Sequence, residues 1–150
     1  MRVIDLHHRN QRAVGGQSNV LELGCPREGA IDKIVVVQTG GTAVAFTYDV
    51  YSRRAAADTF GSGSSADDSD TPADEGVALA SLYRVNGTTV TAASGQPGTF
   101  EPTAPVKYRN ADAGNGMTRA RQRIYLALTP EGSGDMSFDV RITGLTPQNS

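Results

Sequence analysis

The sequence predicts an all-β fold, namely an antiparallel β-sandwich of about eight short strands, for which a jelly roll is one possible topology. Three observations lead to this prediction. Several segments alternate apolar and polar residues with the period of two that a strand imposes. Clusters rich in Gly, Pro and Asn separate these segments at the spacing of turns. No segment carries the 3.6-residue periodicity of a long helix.

The clearest alternation lies near the end of the chain, in Arg121–Leu145. Two alternating segments flank Thr129–Asp135, which contains one proline and two glycines and predicts the turn of a β-hairpin. Each strand would bury one apolar face and expose a polar one. The predicted buried residues are Ile124, Leu126, Leu128, Met136, Phe138, Val140 and Ile142, and the predicted exposed ones are Arg123, Tyr125, Ala127, Ser137, Asp139, Arg141 and Thr143.

The N-terminal segment, Met1–Gly16, has weak periodicity, several basic residues and a Gly-Gly end. These features predict an N-terminal arm (residues 1–16) attached to a single sandwich domain (residues 17–150). Three apolar residues in the arm, Val3, Ile4 and Leu6, could dock on a partner. Such a segment would be mobile in an isolated chain unless other contacts held it.

The first strands of the domain follow. Val20–Leu23 is a short strand candidate, and the β-branched run Ile34–Val37 predicts a strand that is buried on both faces. Gly40-Gly41 then predicts a tight hairpin into a return strand, Ala43–Ser52. In that strand the predicted inward residues are Val44, Phe46, Tyr48 and Val50, and the predicted outward ones are Ala45, Thr47, Asp49 and Tyr51.

The middle of the chain combines a long loop with short strands. Residues 54–76 are rich in Ala, Ser, Gly and Asp, which predicts a flexible acidic loop longer than most connections. Asn86-Gly87 predicts a two-residue hairpin turn that pairs Tyr83 with Val90. The proline-rich stretch 95–105 predicts a surface connection, and Val106–Arg109 a further strand.

Composition excludes several classes of function. A length of 150 residues favours one domain, and the net charge of −2 argues against a general nucleic-acid binder. The single cysteine, Cys25, cannot form an internal disulfide, and the N-terminus has no apolar core of a secretion signal. No apolar run is long enough to span a bilayer. The sequence therefore predicts no membrane or nucleic-acid partner.

Three motifs that could carry chemistry have a simpler interpretation. Gly61–Ala66 fits a dinucleotide-binding pattern, but it neither follows a buried strand nor opens a helix. The acidic cluster 67–75 lacks the glycine and the final carboxylate of a calcium loop, so a solvated loop is the simpler interpretation. Cys25 with His7 or His8 lacks a third orienting residue, and a thiol in a Gly-Cys-Pro turn is more typical of a small apolar filler. We predict no metal, no cofactor and no catalytic residue.

Arg119, Arg121 and Arg123 occupy alternate positions, so a strand would place their guanidinium groups on one face. The simpler interpretation is a solvated face partly neutralised by acidic neighbours. The functional one is a basic stripe that meets acidic groups on another protein, and a phosphate site is a third.

The arm, the tight turns at Gly40-Gly41 and Asn86-Gly87, and the long loop give a profile that resembles the small accessory β-sandwich proteins of tailed-bacteriophage virions, such as capsid decoration or cement proteins. The resemblance implies a non-enzymatic structural protein on the capsid surface. It also implies that the protein binds the major capsid protein lattice, commonly as a trimer, and stabilises the head. The residues expected to contact the partner are Val3, Ile4, Leu6, Arg9, Arg12, Arg119, Arg121 and Arg123.

Other functions stay open at this point. One is another accessory role in the head, neck or tail of the virion. A carbohydrate-binding sandwich would use exposed aromatic residues, for which Tyr51, Tyr83 and Tyr125 are available. An enzyme would need carboxylates held together on rigid elements, and the candidates are Asp49, Glu101 and Asp139.

The predicted arm can be tested by deletion. Deleting residues 1–16 is expected to abolish attachment to the partner protein and to leave the melting temperature nearly unchanged if the arm lies outside the core.

Overall fold

The structure is a computed structural model that describes residues 2–53, 82–84, 89–109 and 123–146. These residues form two antiparallel five-stranded sheets, here called sheet A and sheet B. The strands are β1 (Arg2–Ala13), β2 (Asn19–Gly24), β3 (Glu28–Gly41), β4 (Ala45–Arg53), β5 (Leu82–Arg84), β6 (Val90–Ala93), β7 (Gly98–Phe100), β8 (Val106–Arg109), β9 (Arg123–Glu131) and β10 (Met136–Thr146). The predicted all-β sandwich is confirmed. Among the described residues no helix is long and apolar enough to cross a membrane.

The strand order is that of a jelly roll. Sheet A has the order β1-β10-β3, and β7 and β8 both pair with the far edge of β3. Sheet B has the order β2-β9-β4, and β5 and β6 both pair with the far edge of β4. If β5 with β6 and β7 with β8 each count as one interrupted edge strand, the eight strands pair as first with last, second with seventh, third with sixth and fourth with fifth. This nested pairing defines the jelly roll.

The core lies between the two sheets and follows the predicted alternation. The inward residues of β9 and β10 are confirmed, and Ile124, Leu126, Phe138 and Ile142 have essentially no exposed surface. Buried side chains from all the long strands complete this layer. Tyr48 crosses it, since its hydroxyl on sheet B donates to the carbonyl oxygen of Gly98 on sheet A at 2.9 Å. The apolar face of each strand therefore fixes which side of each sheet faces the core.

Three predicted hairpins are wrong. β9 and β10 lie in different sheets, as do β3 and β4, so the turns at 132–135 and at Gly40-Gly41 connect the sheets and do not join paired neighbours. Tyr83 pairs with Ser52 and Val90 pairs with Tyr48, so β5 and β6 lie end to end along β4. Alternation identifies a strand, but it does not identify the strand's partner.

The N-terminal segment also differs from the prediction. Arg2–Ala13 is not an arm outside the sandwich but the strand β1, which pairs along its length with β10. Ile4 and Ala13 are each 2% exposed and belong to the core. A left-handed residue, Asn10 (φ 59°), interrupts the alternation, because a β-bulge there puts Arg9 and Asn10 opposite Asp139. This bulge conceals the strand from a simple period-two reading of the sequence.

Several predicted faces are also corrected. Val44 is 69% exposed, whereas Tyr51, Tyr125 and Ala127, which point away from the main core, are buried in a second apolar cluster with Val20. The stretch 95–105 contains a strand, β7, that was predicted as a connection. The predicted loop at 54–76 and the Asn86-Gly87 turn lie outside the described residues.

Candidate interaction surface

The outward face of sheet A carries a concave depression of about 340 Å³ where β1, β10 and β3 lie side by side. Strand register explains its position, since His7 on β1 lies opposite Arg141 on β10, which lies opposite Val35 on β3. We call this the sheet A patch. Its residues are His7, Arg9, Val35, Val37, Asp139, Val140 and Arg141, together with Asp5, which is bonded to two of them.

The floor of the patch is apolar. Val35 and Val37 belong to the β-branched run of β3, whose other residues, Ile34 and Val36, are fully buried. The prediction that this run is buried on both faces is wrong, because Val35 is half-buried and Val37 is 36% exposed. No element of the described chain covers these two valines. Burying them against another molecule would remove apolar surface from water and so favour binding.

An ion network borders this floor. The guanidinium of Arg141 donates to both carboxylate oxygens of Asp5, at 3.1 Å from Nε and 3.3 Å from Nη2. The ring of His7 lies 3.2 Å from the same carboxylate. The hydrogen bond from Arg141 lowers the pKa of Asp5, and the same bond raises the pKa of Arg141. The network therefore holds Arg141 in one orientation at the surface.

The bulge in β1 shapes the opposite border. The backbone N–H of Asn10 donates to Oδ1 of Asp139 at 3.0 Å, which anchors the extra residue of the bulge. Arg9, next to Asn10, is exposed at the rim of the depression. The patch thus presents Arg9 and Arg141 with Asp5 and Asp139, so its formal charges balance when His7 is neutral. A balanced surface with an apolar floor suits a folded protein better than a polyanion.

The predicted contact residues are only partly brought together. Val3, Arg9 and Arg12 are exposed on β1, and Arg9 alone of these lines the depression. Ile4 packs in the core and is not free to contact a partner as predicted, whereas Leu6 is half-buried against the core and keeps part of its surface exposed. Arg123 begins β9 in sheet B, away from the patch. Arg119 and Arg121 lie outside the described residues.

The cysteine and the two histidines occupy separate environments. Cys25 is buried, as predicted, and its sulfur lies 2.8 Å from the hydroxyl of Tyr108, which donates to the carbonyl oxygen of Pro26. His7 bonds Asp5 on the outward face. His8 points to the other side of β1, where its Nε2 lies 3.2 Å from the carbonyl oxygen of Gly24. Burial raises the pKa of the Cys25 thiol to about 12, so it is a poor nucleophile at neutral pH.

The carboxylates considered for an enzyme do not converge. Asp49 lies on β4 of sheet B, where it accepts a hydrogen bond from Thr89 at 2.9 Å, and Asp139 lies on the outward face of sheet A. Glu101 follows β7 at the far edge of sheet A. Within the described part of the chain, no group of three or more His, Cys, Asp or Glu side chains is placed to hold a metal ion.

The tyrosines considered for sugar binding do not form an exposed platform. Tyr51 is 1% exposed and Tyr125 is fully buried. Tyr83 lies on β5, at the edge of sheet B. Two of the three candidate rings are therefore inaccessible to a saccharide.

Sequence reasoning missed most of the patch. Alternation correctly placed Asp139 and Arg141 on an outward face, but their neighbours Asp5 and His7 come from a segment predicted as an arm. The available sequence signal was the alternation of Val3, Asp5 and His7 against Ile4, Leu6 and His8.

The fold and the patch together define a jelly-roll β-sandwich with a concave, charge-balanced depression on the outward face of sheet A. No family model, no curated protein and no solved structure matches this chain.

Proposed function

We propose that the chain is a non-enzymatic structural protein of a tailed-phage virion, a capsid decoration or cement protein that binds the major capsid protein lattice and stabilises the head. The observation that carries the proposal is the sheet A patch, a charge-balanced depression with an uncovered valine floor on a rigid sandwich. Such a patch has the composition of a protein-binding surface, with apolar area in the middle and polar groups at the rim. Viral capsid domains are among the proteins that use the jelly roll.

The geometry supports a role in adhesion for a second reason. The ion network of Asp5, His7 and Arg141 and the anchored bulge at Asn10 fix the rim before any partner arrives. A preformed surface loses little conformational entropy on binding. A cement protein must hold a lattice joint under load, and a surface on paired strands is more rigid than one on loops.

The proposal is tested on virus particles from a lysate of the source culture, banded in a density gradient and probed with antibody against the chain. We expect the protein in the particle band at a copy number comparable to that of the major capsid protein. A few copies per particle would indicate a neck or tail component instead. Absence from the particles would refute the virion role.

A matched pair of variants tests the surface. Val37→Asp puts a charge on the valine floor, whereas Val44→Asp alters an exposed valine outside the patch. When recombinant protein is added back to particles stripped of it, we expect Val37→Asp to weaken binding by at least about tenfold, because a buried unpaired carboxylate is costly. Val44→Asp should bind normally. Equal binding by both variants would show that the sheet A patch is not the contact surface.

A further inference from the structure

The free edge of β1 is the most unusual feature outside the patch. β1 is an edge strand of sheet A, and within the described chain it pairs only with β10. From Arg2 to His8 the pairing is regular, and the bulge at Asn10 ends that stretch. The regular stretch contains no proline, and such an edge presents unpaired backbone N–H and C=O groups that can pair with another strand.

The side chains of this edge alternate in character. Val3, Asp5 and His7 face outward; Asp5 is a hydrogen-bond acceptor, and the ring of His7, which lies 3.2 Å from that carboxylate in the same chain, can donate a hydrogen bond. On the inner side Leu6 is half-buried, since it packs on the core at the open side of the sheet. Charged side chains on an exposed edge hinder its pairing with another strand unless the opposing groups are complementary. This edge instead carries groups that can complement each other.

We propose that β1 pairs antiparallel with β1 of a second copy of this chain, about a two-fold axis that passes beside Leu6. In this register Asp5 lies opposite the partner's His7, and by symmetry His7 lies opposite the partner's Asp5. Leu6 lies opposite the partner's Leu6 and extends the core across the axis. The two A sheets then form one continuous sheet, and the two sheet A patches lie on the same side of it.

Other registers are less favourable. An axis beside Asp5 would set the two Asp5 carboxylates directly opposite each other, and like charges in that position are destabilising. An axis beside His7 would leave only residues 6–8 in regular overlap, because the bulge follows His8. The axis beside Leu6 keeps residues 4–8 regular and produces two complementary pairs. Registers in between would oppose the outward face of one strand to the inward face of the other.

Engineered cysteines test the register directly. In the proposed dimer the two copies of Leu6 are about 4.5–5.5 Å apart at Cα, which suits a disulfide. The control is Val3→Cys, on the same strand and more exposed, whose two copies would be about 20 Å apart along the strands. We expect Leu6→Cys to form a disulfide-linked dimer under mild oxidation, and Val3→Cys to remain unlinked. Cys25 should not interfere, because it is buried.

A charge reversal tests the pairing without cysteines. Light scattering on the native chain should give a mass twice 15.8 kDa at micromolar concentration. His7→Asp would oppose carboxylates across the axis and should raise the dimer dissociation constant by at least about tenfold. The double variant Asp5→His/His7→Asp restores complementary pairs and should restore the dimer.

Each outcome decides the proposal. A native monomer, a trimer, equal cross-linking of both cysteine variants or no cross-linking of Leu6→Cys would overturn it. A β1 edge reserved for a strand of a different protein would appear as a monomer in isolation and would overturn it too. This inference does not depend on the virion role, since every measurement uses the purified chain alone.

Discussion

Cys25 illustrates how a single buried residue determines local chemistry. Its thiol donates to the hydroxyl of Tyr108, and that hydroxyl donates to the carbonyl oxygen of Pro26, which ties the connection after β2 to β8. Burial is the largest cause of the raised pKa values of both Cys25 and Tyr108, because it disfavours their charged forms. The sulfur therefore stabilises the fold as a small, hydrogen-bonded group.

We predict that Cys25 resists thiol reagents in the native protein. At pH 8 an aromatic disulfide reagent should release no colour until denaturant is added, when one thiol per chain should react. Because the pKa rises from the unfolded value to about 12 on folding, the stabilising contribution is complete below the unfolded pKa and is lost as pH rises toward 12. The free energy of unfolding should accordingly fall in alkaline solution. Rapid labelling of native protein at pH 8 would contradict the buried site.

The ion pair between Asp5 and Arg141 should be visible by titration. Arg141 lowers the pKa of Asp5, so Arg141→Gln should move that pKa up toward the ordinary carboxyl range, as measured by carbon-detected NMR. Arg141→Lys keeps the charge and should leave the pKa between the two. The contribution of the pair to stability exists above the unfolded pKa and is lost as pH falls through the folded one.

The effect of that pair on stability should be small, because both side chains are about half exposed. A large drop in melting temperature for Arg141→Gln would contradict this interpretation. An unchanged pKa of Asp5 would show that the ion pair does not form in solution.

At the scale of elements, β1 shows where sequence reasoning was sufficient and where it was not. Alternation could have indicated a strand in residues 3–8, but the bulge at Asn10 and the charged residues concealed it. In contrast, β10 alternates without interruption through Thr146, and its faces were predicted correctly. The period of two is reliable only where the strand itself holds no extra residue; in the two irregularities between β10 and β3 the extra residues, Asp32 and Thr39, lie on β3.

The role of β1 in the core corrects the expectation for an N-terminal deletion. Removing residues 1–16 should lower the melting temperature strongly, because it removes two core residues and uncovers one edge of β10. Loss of attachment after this deletion would therefore not identify the contact residues. Point substitutions are needed instead.

A pair of neighbouring substitutions tests the position of β1. Ile4 is 2% exposed and Val3 is 75% exposed, although they are adjacent in sequence. Ile4→Ala should reduce the free energy of unfolding by about 2–4 kcal/mol, because it leaves a cavity in the core. Val3→Ala should change it by less than about 0.5 kcal/mol. Chemical denaturation measures both, and equal effects would show that β1 is not docked as described.

The connections between sheets explain why the hairpins were predicted wrongly. Gly41 adopts a φ of 92°, and a side chain there would collide with Asp135, while the carbonyl oxygen of Asp135 accepts from Thr42 and Ala43. The carboxylate of Asp135 also accepts from the N–H of Gly15 at 2.9 Å. One residue thus ties together three of the connections at this end of the sandwich, namely those between β1 and β2, between β3 and β4, and between β9 and β10. Glycine-rich turns of this kind have the composition of hairpin turns, so composition alone cannot distinguish a hairpin from a crossing between sheets.

On the scale of the whole molecule, the nested strand order brings the first and the last described strands together. Arg2 on β1 lies opposite Thr146 on β10, so the first strand pairs with the last along one side of sheet A. This pairing joins residues more than 140 positions apart, and contacts so distant in sequence slow folding. No local pattern in the sequence specifies such a pairing, which is why the strands were predicted but their order was not.

A circular permutant tests this topology. Because β1 begins where β10 ends, a short flexible linker between residues 146 and 2 should join the two strands as a hairpin. New ends opened between Gly95 and Gln96, in an exposed turn, should leave the fold intact, since exposed turns tolerate cuts. A second permutant, opened between Gly134 and Asp135, would cut the connection that Asp135 stabilises and should unfold at a clearly lower temperature. Circular dichroism melts compare the two, and failure of the first permutant to fold would contradict the pairing of the first strand with the last.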